Sequence, residues 1–228
     1  LDDVLELFEI NPDYDLNVME TKISLNNTMI KILSGLDNIF QKFAPDLVLI
    51  QGDTTTVLTA ALTSYYRKIP IAHIEAGLRT DNIYSPWPEE GNRKMVSTIT
   101  QYHFAPTLSA KNNLLRENIN SNIIFVTGNT VIDSLIWAKN KIQNDKRLQE
   151  ELNTDFSFID PTKRIILVTG HRRESFGPGF ENICEALKQI AKENQDVQII
   201  FPVHLNPNIQ KPVNKILKNI ENINLIHP

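Results

Sequence analysis

The sequence predicts an α/β fold made of parallel βα units in two sheets. Three observations carry that expectation. Seven short β-rich apolar runs recur between residues 46 and 226. The stretches between them place apolar residues three and four apart, as amphipathic helices do. The residues directly after several runs are polar and glycine-containing, as expected at the carboxyl ends of strands in an open parallel sheet. At 228 residues the chain has room for one large domain or two small ones, and 41% hydrophobic residues are enough to build a core.

Composition excludes several classes. Only 8 glycines and 12 prolines are present, so the chain is neither collagen-like nor a low-complexity linker. A net charge of -4 supplies no basic field for nucleic acid, and any phosphate must be held locally. No apolar run approaches the roughly 20 residues that span a bilayer, and the N-terminus lacks signal-peptide character, so no membrane partner is expected. The single cysteine, Cys184, can form neither an internal disulfide nor a multi-cysteine zinc site, which leaves a cytoplasmic location as the default and no metal expected.

The elements follow in order. Residues 1–10 (LDDVLELFEI) carry Leu1, Val4, Leu5 and Phe8 at helical spacing with no strand ahead of them. A helix then runs through Met29, Ile32, Leu33, Leu36, Ile39, Phe40 and Phe43, and a strand occupies residues 46–51. That strand enters Gly52-Asp53-Thr54-Thr55-Thr56 and a helix containing Val57 and Leu58. The next strand, 70–74, runs into Glu75-Ala76-Gly77-Leu78-Arg79. The loop at 82–92 holds two prolines around Trp87, and Pro88 starts a helix with Glu89 and Glu90 in its first turn. Strands at 101–105 and 122–127 complete the first sheet. Residues 145–160 lose clear periodicity and end in Asp160-Pro161, reading as a connection between sheets. Strands at 164–169, 196–203 and 222–226 form the second sheet, with a helix through Phe180, Ile183, Cys184, Leu187, Ile190 and Ala191 that places Cys184 in the core. Three strands are only half of a nucleotide-binding domain, so the sequence reads as part of a longer two-domain enzyme.

Chemistry is expected beyond the strand ends. Asp53 is either the N-cap of the following helix or a functional carboxylate. Glu75, directly after an apolar strand, must face a cleft or an arginine such as Arg79, because an unpaired buried carboxylate is costly. Glu89 and Glu90 suit the positive end of a helix dipole, but the stiff aromatic loop can also bring a third carboxylate to the same cleft. Acids in different environments have separated pKa values, the requirement for acid and base work by similar groups. The segment Gly170-His171-Arg172-Arg173-Glu174-Ser175 leads into a glycine-flanked helix start near Gly179. It is either a diphosphate cradle or a solvated basic turn. Neither a Walker loop nor a dinucleotide fingerprint is present, and His73 and Glu75 form an H-x-E without the P-C-x-x-C of zinc deaminases. For His103 and His227, core or surface roles are expected.

Six blocks, GDTTT (52–56), HIEAGLRT (73–80), YSPWPEEGNR (84–93), TGNTVIDSL (127–135), TGHRRESFG (169–177) and PVHLNPN (202–208), lie in order over most of the chain. In these the sequence resembles the non-hydrolysing bacterial UDP-N-acetylglucosamine 2-epimerases. The resemblance implies a GT-B fold of two Rossmann-like, doubly wound parallel-sheet domains, both incomplete here. Residues 1–127 would be the N-terminal domain without its first strand and loop, and 128–228 a linker helix and the first half of the UDP-binding domain. It implies interconversion of UDP-N-acetylglucosamine and UDP-N-acetylmannosamine by elimination and re-addition of UDP. Asp53, Glu75 and Glu89 would be acid/base carboxylates and His171 would stabilise the diphosphate. Asp53, Glu75, Arg93, His171, Arg172, Glu174 and Ser175 would contact substrate, and Arg172 and His204 would contribute to an allosteric site. No cofactor, a homodimer and a role in surface-polysaccharide precursor synthesis are further implications. An inactive remnant that binds nucleotide sugar or a partner subunit, and a GT-B glycosyltransferase, are the alternatives.

Overall fold

The computed structural model describes residues 2–18, 23–170 and 177–227. The chain divides into two compact units, 1–141 and 142–228.

The first unit is built on a four-stranded parallel sheet in the order β1 (Val48–Gln51), β2 (Ile71–Ile74), β3 (Tyr102–Ala105), β4 (Ile124–Val126). The register aligns Ile50 with His73 and His73 with His103, so the two histidines stand side by side at the sheet centre. Before the sheet come α1 (Asp2–Leu7) and α2 (Leu25–Phe43). Helix α2 starts at Ser24, whose hydroxyl accepts the Asn27 N–H at 3.2 Å, and stops where Ala44 turns left-handed at φ 48°. Parallel strands require crossovers, and these are α3 (Thr55–Tyr66), α4 (Glu89–Ile99) and α5 (Leu108–Arg116). Ile50, Val57, Leu58, Ala61, Ile71 and Val96 form one core cluster; Ala76, Ala105, Ala110, Leu114 and Ile124 form another beside it.

Strand β4 ends at Val126, and α6 (Thr130–Asn144) belongs mostly to the first unit. Phe8 stacks on its Trp137 with ring centroids 4.5 Å apart, and Lys141 Nζ donates to the Leu7 carbonyl at 2.9 Å and pairs with Glu9 at 2.7 Å. Contacts that join residue 8 to residue 137 cannot be read from local pattern.

The second unit holds a three-stranded parallel sheet, β5 (Arg164–Leu167), β6 (Val197–Pro202), β7 (Ile223–Ile226), crossed by α8 (Pro178–Glu193) and α9 (Pro207–Leu217). Its core gathers Phe180, Cys184, Ile199, Phe201, Ile209 and Leu217, with Cys184 fully buried as expected. The stretch expected to be an irregular connection contains a helix, α7 (Lys146–Asp155), capped by Asp145 accepting the Leu148 N–H at 3.1 Å. In both sheets the strands run in sequence order, as on one side of a doubly wound sheet. No helix among the described residues is long and apolar enough to cross a membrane.

Candidate active site

The ends of β1 and β2, with the first turn of α4, bring four charged side chains together. After β1, Gly52 takes φ +81° and its N–H bonds the Ile74 carbonyl at 3.1 Å, which ties the two strand ends. A Cβ on Gly52 would lie 3.7 Å from Glu75 Oε2, an ordinary contact, so it is the positive φ that calls for glycine here.

Asp53 does not cap α3. That position belongs to Thr54, whose hydroxyl accepts the Val57 N–H at 3.4 Å. Asp53 is instead held from α4: its backbone carbonyl accepts from Asn92 Nδ2 at 2.8 Å, and its carboxylate lies 3.6 Å from Arg93 Nε.

Glu75 occupies the left-handed region at φ 69°, a conformation that costs a non-glycine residue about 1–3 kcal/mol and concentrates at functional sites. Its pKa is raised, first by burial and then by the Asp53 charge, with Arg93 opposing. Glu75 is expected to face a cleft or an arginine such as Arg79, and the arginine that acts on it is Arg93. The buried Arg79 guanidinium reaches the other way, to Glu117 at 2.6 Å and Ser97 Oγ at 2.8 Å. Its hydrogen bond holds the Glu117 carboxyl below the usual range.

Helix α4 presents Glu90, Asn92 and Arg93 inward. Glu90 is completely buried, with Oε1 accepting the Asp81 N–H at 3.2 Å and Oε2 3.3 Å from Arg93 Nε. Arg93, expected to contact substrate, is buried between Glu90 and Asp53. Glu89 is the half-buried first residue of the helix, and among the described residues no hydrogen bond or ion pair joins it to this cluster. Glu89 and Glu90 share the first turn in the sequence and the resemblance singles out Glu89; the signal for Glu90 is its opposite-charge partner Arg93 three residues on, continued by buried Val96 and Ser97.

Beneath the cluster His73 is buried with Nε2 2.8 Å from the Gly52 carbonyl. A carbonyl only accepts, so Nε2 carries the hydrogen; Nδ1 has no partner and burial lowers the pKa, which makes the ring neutral. His171, Arg172, Glu174 and Ser175 lie outside the described residues. The helix expected after them begins at Pro178, with Gly177 at φ +81° before it. His204 is exposed at the entry to α9, its Nδ1 accepting the Asn206 N–H at 3.1 Å. Among the described residues no group of three or more His, Cys, Asp or Glu is placed to hold a metal ion.

The model of the family described as UDP-N-acetylglucosamine 2-epimerase matches residues 1–228. The chain belongs to that family. It is 54% identical over 228 residues to the UDP-N-acetylglucosamine 2-epimerase of Escherichia coli K12, covering all of this chain and 61% of the relative. The Campylobacter jejuni relative is 51% identical over 232 residues, with 60% of its length covered. Among solved structures, the Neisseria meningitidis UDP-GlcNAc 2-epimerase bound to UDP-GlcNAc matches with a TM-score of 0.95 at 47% identity, across all of this chain and 61% of that one. The Methanocaldococcus jannaschii enzyme in complex with UDP-GlcNAc and UDP matches at TM-score 0.81 and 34% identity, across all of this chain and 62% of that one. This member of the epimerase family thus spans about three-fifths of the length of these relatives, and its two parallel α/β sheets are part of their GT-B-type fold.

Proposed function

We propose that this chain carries the acid/base side of a non-hydrolysing UDP-N-acetylglucosamine 2-epimerase. The reading rests on one observation above the others: two carboxylates, Asp53 and Glu75, converge at adjacent strand ends, and Glu75 is pushed toward its protonated form by burial and by its neighbour. Such a pair suits a reaction in which one group takes a proton and another returns one.

Inversion at C2 of the sugar then runs by elimination and re-addition. A carboxylate removes the C2 proton, the C2–H electron pair becomes the C1–C2 double bond, and the C1–O bond breaks with its electrons leaving on UDP. The intermediate is 2-acetamidoglucal. A carboxylic acid protonates the opposite face of C2 while the UDP oxygen re-forms its bond to C1, giving UDP-N-acetylmannosamine. Electrons and protons balance without a cofactor. Asp53, Glu75 and Glu89 are the proton-transfer groups in this reading. His171 and its loop stabilise the diphosphate while it is detached, and Arg172, Glu174 and Ser175 contact the substrate. Arg93 acts on the sugar side, as the cation beside the Asp53 carboxylate.

The names of the relatives and the ligands in two of their solved structures support UDP-N-acetylglucosamine and UDP as the ligands. A homodimer, a cytoplasmic setting, supply of surface-polysaccharide precursors, an allosteric contribution from Arg172 and His204, and a domain division at residues 127 and 128 complete the proposal.

The test uses this chain extended to its relatives' length with the flanking segments of the Escherichia coli enzyme. In D2O, NMR of UDP-N-acetylglucosamine should show UDP-N-acetylmannosamine forming with deuterium at C2. Asp53→Asn, Glu75→Gln and Glu89→Gln should each lower kcat by about 100-fold or more, since each loses a proton-transfer group with little change of shape. Product without deuterium would overturn the proton-transfer route. Near-wild-type kcat in one variant would remove that residue from it.

A further inference from the structure

Glu90 is the one member of the α4 cluster that no substrate-facing role explains. It is completely buried, and burying a carboxylate is expensive unless its partners are well placed. A hydrophobic residue of similar volume would fill a buried helix position more cheaply. Its two oxygens, however, meet two different structures. Oε1 accepts the Asp81 N–H at 3.2 Å, at the start of the loop that leads to Glu89, and Oε2 lies 3.3 Å from Arg93 Nε, a charge contact without hydrogen-bond geometry. The same Nε is 3.6 Å from Asp53 Oδ2, so Arg93 is shared between a buried carboxylate and a half-exposed one. Asn92, between them in sequence, holds the Asp53 backbone at 2.8 Å. Any movement of Glu90 therefore moves the positive charge that Asp53 and Glu75 face.

We propose that Glu90 is a positioning residue: it fixes the Arg93 guanidinium beside Asp53, and takes up part of its charge, so that the two strand-end carboxylates face a cation of set place and strength. The proposal rests on the reading of Asp53 and Glu75 as proton-transfer groups. The charged and titratable groups around Glu75 are Asp53 from the β1 end and Arg93 from α4, and Glu90 reaches it only through Arg93. Neutral His73, from β2, lies under the Gly52 turn.

The signs follow from charge alone. Glu90→Gln leaves Arg93 with less compensation, so its full charge acts on Glu75, which then binds its proton less tightly. The double variant Glu90→Gln/Arg93→Gln removes the cation as well, so Glu75 binds its proton more tightly. That variant contains no orphaned buried charge, which protects its folding. Glu90→Asp keeps the charge and shortens the reach by one methylene.

Carboxylate carbon NMR on the extended enzyme, with the Glu75 signal assigned by its loss in Glu75→Gln, reads the Glu75 titration directly. The expected result is a midpoint about 0.5 pH unit or more lower in Glu90→Gln and higher by a similar amount in the double variant. In the extended enzyme the acid limb of the kcat profile should move the same way, and Glu90→Asp should lower kcat while leaving the limb near its wild-type position. A Glu75 midpoint unmoved in both Gln variants would overturn the proposal and leave Glu90 as part of a structural ion pair. If the extended enzyme makes no UDP-N-acetylmannosamine the functional reading fails, yet the titration still decides whether Glu90 sets the charge at the strand ends.

Discussion

His103 shows how a single residue can tie the sheet centre to solution pH. It is fully buried, and neither ring nitrogen meets a partner at good hydrogen-bond geometry. Burial first, then the neighbouring His73, push its pKa down to about 4, with the nearby Thr100 backbone opposing only in part. Because the folded value lies below the ordinary value near 6.5, the unfolded chain takes up a proton between those limits that the folded chain refuses. The stability contributed by neutral His103 is therefore complete above about pH 6.5 and is lost as pH falls toward 4, up to about 3 kcal/mol. Glu75, raised, works in the opposite sense, so the comparison must be with a variant. Both tryptophans, Trp87 and Trp137, lie in the first unit and report its unfolding. The urea midpoint should fall between about pH 7.5 and about pH 5, and His103→Gln should remove a substantial part of the drop, His73, whose pKa burial also lowers, supplying more of it; an undiminished drop would assign it to other groups. At this scale the site was only half legible. Asp53 and Glu75 could be found because polar residues directly after apolar strands stand out. Glu89 and Glu90 are adjacent on a helix, and which of them turns inward depends on where the sheet lies.

At the scale of elements, the βα crossovers rest on tight turns, and Gly77 is the tightest. It takes φ +88°, its carbonyl accepts from Asn113 Nδ2 at 2.8 Å, and an added Cβ would collide with the Ala110 backbone carbonyl and press on Leu114. Gly77→Ala combines backbone strain with a clash that only a shift of α5 relieves, and should cost about 2–4 kcal/mol. Tryptophan-detected urea unfolding measures it, and a loss under about 0.5 kcal/mol would mean that α5 moves freely. All seven strands were readable because each is a short apolar run bounded by turn residues, and their limits in the structure differ from the expected ones by at most two residues at either end. Helix α7 was not readable, for a physical reason: none of its residues is fully buried, so it leaves no strong apolar stripe. What holds it is local, the Asp145 cap and the Arg147–Glu151 pair at 2.9 Å.

At the scale of the whole molecule, each sheet presents apolar strand residues on an uncovered side. In β1 Ile50 is buried while Leu49 is 60% exposed, and in β5 Ile165 and Leu167 are 43% and 66% exposed. Parallel sheets are normally covered on both faces, and contiguous apolar surface promotes association. The relatives have about two-fifths of their length beyond the part matched here. Elimination also leaves UDP detached from the sugar, so the diphosphate must be gripped throughout, and in the proposed mechanism the grip assigned to this chain is the loop around His171. The 228-residue polypeptide by itself should therefore self-associate in light scattering and give no UDP-N-acetylmannosamine, whereas the extended form should run as a defined species and turn over. Partial chemistry, release of free UDP and 2-acetamidoglucal, is the most that an acid/base cluster without a complete diphosphate grip should achieve. NMR of UDP-N-acetylglucosamine with each protein at the same high concentration separates these outcomes. Accumulation of the epimer with the shorter polypeptide would mean that strand-end acids and the His171 loop suffice for inversion.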